Sequence, residues 1–350
     1  MKAFSLISDS FYTKKEQYNF IERFFVSLIR DERDLPFVKL TAVILLTMIP
    51  LGIFLYVPDI SAWLWWMVAI VYFFLNNLYF KGPFGLMLHC SCHNKLYKFK
   101  YDKLNLILPW FVGLFFGQTP ETYFSHHIGM HHIENNLEED ESSTMSYQRD
   151  SFGDFMKYFG SFMYRGLIDL SMYFSRKNRN KLLVKTIRGE VLYFLMCVGL
   201  CILNWQATLV VFILPLLISR FIMMLGNWTQ HSFIDAADPG NHYKNSITCI
   251  NTKYNKKCWN DGYHISHHVK PTMHWTEHPT HFLENLPKYN ENKSIVFEGI
   301  GFLEVFIFLM RKRYDKLEHY FVNIDNQYAS GDEVIALMKY RTKKIENSCQ

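Results

Sequence analysis

The feature that most constrains this chain is where its charges are missing. Leu40 to Val57 runs 18 residues without a charged side chain, Ser61 to Phe80 runs 20, and Val191 to Ser219 runs 29. Crossing a bilayer takes about 20 mostly apolar residues, so the chain is expected to be an integral membrane protein. A mean hydropathy of −0.04 is low for such a protein. The 37 Lys+Arg and 32 Asp+Glu, however, all fall in the other segments, which predicts a sizeable polar body beside the membrane part.

Charge placement also orients the spans. Residues 1–39 carry Lys14, Lys15, Arg23, Arg30, Arg33 and Lys39, whereas the link Pro58, Asp59, Ile60 has no positive charge. The positive-inside rule therefore puts the N-terminus in the cytoplasm and returns the second span to that side. Leu104 to Gly117 is 14 residues long and contains Pro109, so it reads as a re-entrant or interfacial segment. The 29-residue block is either one tilted helix of roughly 43 Å or a helical hairpin turning near Asn204, Trp205 and Gln206. The hairpin keeps every basic segment on one side and is the reading adopted.

The predicted fold class is all-α and integral to the membrane. About four transmembrane helices form two hairpins, joined by the re-entrant or interfacial segment and a cytosolic helical cap. Residues 1–39 are expected to be a cytosolic N-terminal segment, 40–290 the membrane domain and 291–350 a cytosolic C-terminal helical tail. Ile300 to Met310 reads as an interfacial or packed helix. A net charge of +5 without a basic-aromatic stripe argues against a nucleic-acid partner. Seven cysteines (90, 92, 197, 201, 249, 258, 349) with no CxxC pair argue against a disulfide framework. The N-terminus shows no cleavable signal, so the first span is expected to do the targeting.

Fourteen of the fifteen histidines lie between His89 and His281. They read His89-x-x-x-His93, His127-x-x-x-His131-His132, a single His231, and His264-x-x-His267-His268. Positions i, i+3 and i+4 share one helix face, so each box can aim two or three imidazoles at one place. At this histidine frequency a given HxxHH triple arises by chance only about 0.03 times in the chain. Nine imidazoles exceed what one ion takes, HExxH is absent, and no ExxH of the soluble carboxylate-bridged bundles occurs. A two-metal site of neutral nitrogen donors is the economical reading, although imidazole alone leaves the metal open among Zn, Cu, Fe and Ni.

The boxes resemble those of the integral-membrane fatty-acid desaturase and hydroxylase superfamily, which includes the alkane monooxygenases. Cys258 to His268, CWNDGYHISHH, resembles the GYHxxHH box of acyl and sphingolipid desaturases, and Asn227-Trp-Thr-Gln-His231 resembles the NxxxH element. His127 to Phe152, with its Glu139-Asp140-Glu141-Ser142-Ser143 run, is similar instead to the alkane monooxygenase segment, as is His267-His268-Val-Lys-Pro271-Thr272. The resemblance covers roughly residues 40–290. It implies a non-haem di-iron centre held by His89, His93, His127, His131, His132, His231, His264, His267 and His268, with Asn227 and Asp261 orienting the ligands from behind and O2 as co-substrate. His126 competes with His127, which is preferred because it sits i, i+4 and i+5 from the pair that follows.

Other polar residues receive structural readings. His242 and His319 are expected to be solvated or capped polar residues. His274, His278 and His281 are read as surface or substrate-access groups, and Cys90 and Cys92 as facing away from the first box. Asn76 and Asn77 are assigned to helix packing, with a substrate tunnel as the alternative. Glu138 to Glu141 reads as a solvated loop or a docking patch, and Arg176 to Arg188 as a lipid-headgroup anchor.

The resemblance implies an oxidoreductase acting on a lipid acyl chain, with desaturation as the first reading and acyl or alkane hydroxylation as the second. A His-rich metal transporter is the reading from another class, but it expects ligands inside the spans. No HPGG haem motif or GxGxxG flavin motif occurs. Electrons must then come from a separate donor of cytochrome b5, ferredoxin or rubredoxin type. The expected location is the endoplasmic reticulum membrane in a eukaryote or the inner membrane in a bacterium, with the active site on the cytoplasmic face.

Overall fold

A computed structural model describes residues 1–3 and 6–345. The chain divides into two contact units interleaved in sequence: Thr13–Ile128 with Ser171–Phe221, and Met1–Tyr12 with Gly129–Leu170 and Ile222–Gln350.

Among the described residues, three helical segments are long and apolar enough to cross a membrane: Glu32–Phe54, Ala62–His93 and Asn180–Gln230. The third is 51 residues long and breaks at Asn204, whose backbone leaves the helical region at φ −159°, ψ 99°. The Asn204 side chain accepts from the Ala207 amide at 3.0 Å and so caps the returning arm. Beyond the break the chain doubles back. Tyr193 donates to the Phe212 carbonyl at 3.0 Å, and Arg220 pairs with Glu190 at 2.8 Å. In an unbroken helix those pairs would lie about 28 Å and about 45 Å apart. The expected hairpin turn is therefore present.

The apolar stretch at 104–117 contains two short helical runs, Leu108–Val112 and Gly113–Phe115, followed by a turn at Gly117. Gly117 has φ +72°, and a Cβ there would sit 2.2 Å from the Leu216 nitrogen, so both conformation and space require glycine. A helix ending among apolar residues leaves carbonyls to satisfy. Buried Asn76 donates to the Phe115 carbonyl at 2.9 Å, and the Phe116 carbonyl accepts from Lys81 at 2.9 Å and from Ser219 at 2.6 Å. Asn76 thus takes the packing role expected of it. Ahead of the first span, helix Phe20–Leu28 opens with a capping box between Asn19 and Glu22 and leaves Phe20, Ile21 and Phe24 exposed.

The second unit departs from the all-α expectation through two small parallel sheets. Strand β1 (Lys2–Ala3) pairs with β4 (Val322–Asn323), and β2 (Ile247–Ile250) pairs with β3 (Ile295–Glu298). The β2 and β3 sequences, ITCI and IVFE, are β-branched runs too short for a helix. Ile247, Cys249, Ile295 and Phe297 are fully buried and form one core with Val305, Leu309, Leu317, Val334 and Met338. The segment at 300–310 is a packed helix, Phe302–Met310, whose Phe302, Val305, Phe306 and Leu309 are buried. Asp9 is buried as well. It accepts from the Thr252 amide at 3.1 Å, from Asn255 at 3.0 Å and from the Tyr263 hydroxyl at 2.8 Å, and so anchors the first residues of the chain beside β2. The six described cysteines are free thiols, and Cys349 lies outside the described residues.

Candidate metal centre

The second unit gathers four buried imidazoles: His131, His231, His264 and His268. One nitrogen of each lies within 4.8 Å of those of the other three. His264 and His268 occupy positions i and i+4 of the short helix His264–Val269, which places their Nε2 atoms 3.0 Å apart. His231 follows directly on helix Leu214–Gln230, and its Nε2 is 3.3 Å from that of His264. The His131 ring centroid lies 5.3 Å from His231 and 5.2 Å from His268. Nitrogens about 2.1 Å from one ion are roughly 3.0–3.4 Å from each other in octahedral or tetrahedral arrangement, so the spacing fits a transition ion.

Which ring nitrogen carries the proton follows from the neighbours. His231 Nδ1 lies 2.9 Å from the Asn245 carbonyl and 3.1 Å from Asn245 Oδ1, both pure acceptors. The Asn245 amide is itself oriented, since its Nδ2 donates to the carbonyls of Asn135 at 2.7 Å and Pro239 at 2.8 Å. His231 must therefore donate from Nδ1, leaving the Nε2 lone pair directed at His264. His131 donates from Nδ1 to Asp140 Oδ2 at 2.7 Å, which frees its Nε2 in the same way. Burial, reinforced by the nearby His131, holds His231 down to about 3. Burial and the adjacent His264 hold His268 well below the usual imidazole range. Both rings are neutral at pH 7, the form that binds metal.

Asp140 is the residue that sequence reasoning missed. Glu138, Glu139 and Glu141 are exposed, in keeping with a solvated loop, but Asp140 turns inward and is 2% exposed. Besides His131 it accepts from the Asn136 amide at 3.0 Å, the Ser142 amide at 2.8 Å and the Ser142 hydroxyl at 2.6 Å. An Asp-x-Ser turn of this kind was the available signal. Asn227 donates to the Ser142 carbonyl at 2.9 Å and the Tyr158 hydroxyl at 2.7 Å, so it steadies the turn that carries Asp140. Asp261 accepts from Tyr254 at 2.6 Å.

The other predicted histidines also approach one another within each unit. In the first unit, His89, His93 and His127 converge, with the His93 and His127 Nε2 atoms 3.1 Å apart and the His89 and His127 centroids 4.4 Å apart. The preferred His127 faces His93, and Tyr123 stacks on it at 5.5 Å. In the second unit, His132 and His267 approach to 4.6 Å between centroids. No cysteine belongs to a metal-capable group among the described residues.

His242 is half-buried and capped: Asn135 Oδ1 lies 3.0 Å from its Nδ1, and its ring lies 5.9 Å from that of His268. The surface reading of two other histidines needs correction. His274 and His278 are buried rather than superficial. His278 Nδ1 is 2.7 Å from Ser266 Oγ on the helix His264–Val269, and His274 Nδ1 is 2.8 Å from Thr276 Oγ1 two residues on, so one long-range and one local hydrogen bond hold these rings inward.

Four buried imidazoles, with the outer nitrogens of His131 and His231 tied to acceptors, make a donor set suited to the metal implied by the sequence resemblance. No curated protein and no solved structure matches the chain. The family model described as fatty acid desaturase matches residues 64–298, which takes in the spans from the second onward and all nine predicted ligands. The chain belongs to the fatty acid desaturase family.

Proposed function

We propose that this protein is a membrane-bound, O2-dependent di-iron oxidoreductase that introduces a C=C bond into a lipid acyl chain. The nine ligands of this reading are His89, His93, His127, His131, His132, His231, His264, His267 and His268. The observation that carries it is the buried tetrad in which Asp140 and Asn245 hold two Nδ1 protons outward. Nine imidazoles are more than a single ion takes, and each unit contributes a convergent group.

A reduced iron pair, when bound, supplies the O2 chemistry that removes hydrogen from an unactivated carbon. The chain's own work is orientation and exclusion of water. Asp140 and Asn245 fix the ring planes of His131 and His231, while Asn227 secures the Asp140 turn. Removing two hydrogens from the acyl chain releases two electrons. Two more, with two protons, reduce O2 to two waters, so a separate donor protein of cytochrome b5, ferredoxin or rubredoxin type is required. The site would face the cytoplasm, in the endoplasmic reticulum of a eukaryote or the inner membrane of a bacterium.

Hydroxylation is the second reading, favoured by the alkane-monooxygenase likeness of the run that includes Asp140. Lipid mass spectra from a host of known composition expressing the chain, compared with a His268→Ala control, separate the two. Desaturation gives products about 2 Da lighter than a host lipid, and hydroxylation gives products about 16 Da heavier. Unchanged spectra from well-inserted protein supplied with its donor would defeat both. Zinc bound without O2 consumption would move the reading to metal handling.

A further inference from the structure

The outer partners of His131 and His231 come from distant parts of the chain, yet one residue joins them, through its backbone to one and its side chain to the other. Asn136 is fully buried and sits in the left-handed region at φ +59°. Its amide N–H donates at 3.0 Å to Asp140 Oδ2, the same oxygen that accepts from His131 Nδ1. Its Nδ2 donates at 3.2 Å to Asn245 Oδ1, which also accepts from His231 Nδ1 at 3.1 Å. The second Nδ2 hydrogen reaches Thr144 Oγ1 at 3.3 Å, and that hydroxyl donates to the His231 carbonyl at 2.8 Å. Asn136 Oδ1 accepts from the Thr144 amide at 2.8 Å. Every polar atom of this side chain is therefore engaged, and together with the backbone N–H the residue reaches the partners of two imidazoles.

We propose that Asn136 is a positioning residue that locks His131 and His231 into one shared ligand geometry. The inference rests on the reading of those rings as metal ligands. A buried hydrogen-bonded network acts as a unit: the side-chain bonds to Asn245 and Thr144 also hold the backbone that aims the Asn136 amide at Asp140, so losing them loosens the partners of both rings. The left-handed backbone explains why an asparagine can stand here, since it tolerates αL and offers three hydrogen-bonding positions in a short side chain.

The test uses the full-length protein in detergent, loaded with Co(II) in place of its native ion. Asn136→Gly keeps the φ and removes the amide; Asn136→Asp keeps the shape and the acceptor to Thr144 but loses both donors. Both variants should shift the Co(II) visible bands and release the ion to a chelator about 10–100 times faster than wild type, measured at a temperature where each metal-free variant remains folded. Wild-type spectra and release rates in both variants would overturn the proposal. If the glycine variant fails to fold, the aspartate variant decides. A His268→Ala control keeps the two readings apart. If that substitution also leaves Co(II) binding untouched, the imidazoles are not ligands and the proposed function fails, whereas an effect of His268→Ala alone sinks only the role of Asn136.

Discussion

Asp140→Asn perturbs the site without changing its size. The carboxylate accepts four hydrogen bonds in a 2% exposed position: from His131 Nδ1 at 2.7 Å, the Asn136 amide at 3.0 Å, and the Ser142 amide and hydroxyl at 2.8 and 2.6 Å. An amide has one acceptor oxygen. If that oxygen serves His131 and Asn136, the NH2 group faces the Ser142 amide, and a donor is left opposite a donor. Leaving a buried backbone N–H unpaired costs about 1–3 kcal/mol, and replacing a charge-assisted bond to His131 by a neutral one adds about 1 kcal/mol. If the amide turns the other way, His131 loses its acceptor and its ring is free to rotate. Ligand affinity should then fall about 10–100-fold, the range found when such an outer partner is removed. Iron content after purification and the rate of iron loss to a chelator measure the effect, with the metal-free thermal midpoint as the fold control. Asp140→Asn protein that retains iron as tightly as wild type would refute the reasoning, because the carboxylate would then be no more than a turn former.

Two further outcomes follow from the same geometry. His231 has a folded-state value of about 3, and that of His268 is also depressed, so the unfolded chain binds more protons wherever the pH lies between those values and the free imidazole value near 6.5. The stability these rings provide is complete above about pH 6.5 and is lost as pH falls toward the folded values, at about 1.4 kcal/mol per pH unit per ring. A metal-free thermal midpoint that does not decline between about pH 6.5 and pH 4 would contradict this. Gly189→Ala would place a Cβ 1.7 Å from the Pro120 carbonyl oxygen, forcing the first arm of the hairpin off the segment it packs on. A cost of about 1–3 kcal/mol is expected, read as a lower melting midpoint in detergent, and an unchanged midpoint would count against the packing described.

Much of this protein is legible without coordinates, and the reasons are local. Charge-free runs announce the apolar helices because a bilayer tolerates little else, and the break at Asn204 falls where a polar Asn-Trp-Gln interrupts 29 uncharged residues. The His264/His268 pair is legible because helical periodicity sets neighbours four residues apart. The short strands β2 and β3 were not, since four-residue β-branched runs gain a partner only when residues about fifty positions apart align. Nor was the inward turn of Asp140, flanked as it is by exposed glutamates.

Sequence alone determined that the chain enters a membrane and that its candidate metal ligands are nitrogen donors, because hydropathy and residue type act position by position. Only the tertiary structure decided which rings meet and which nitrogen of each keeps its proton. Those choices depend on hydrogen bonds between segments such as Asn136 and Asn245, which are 109 residues apart and brought within 3.2 Å solely by folding.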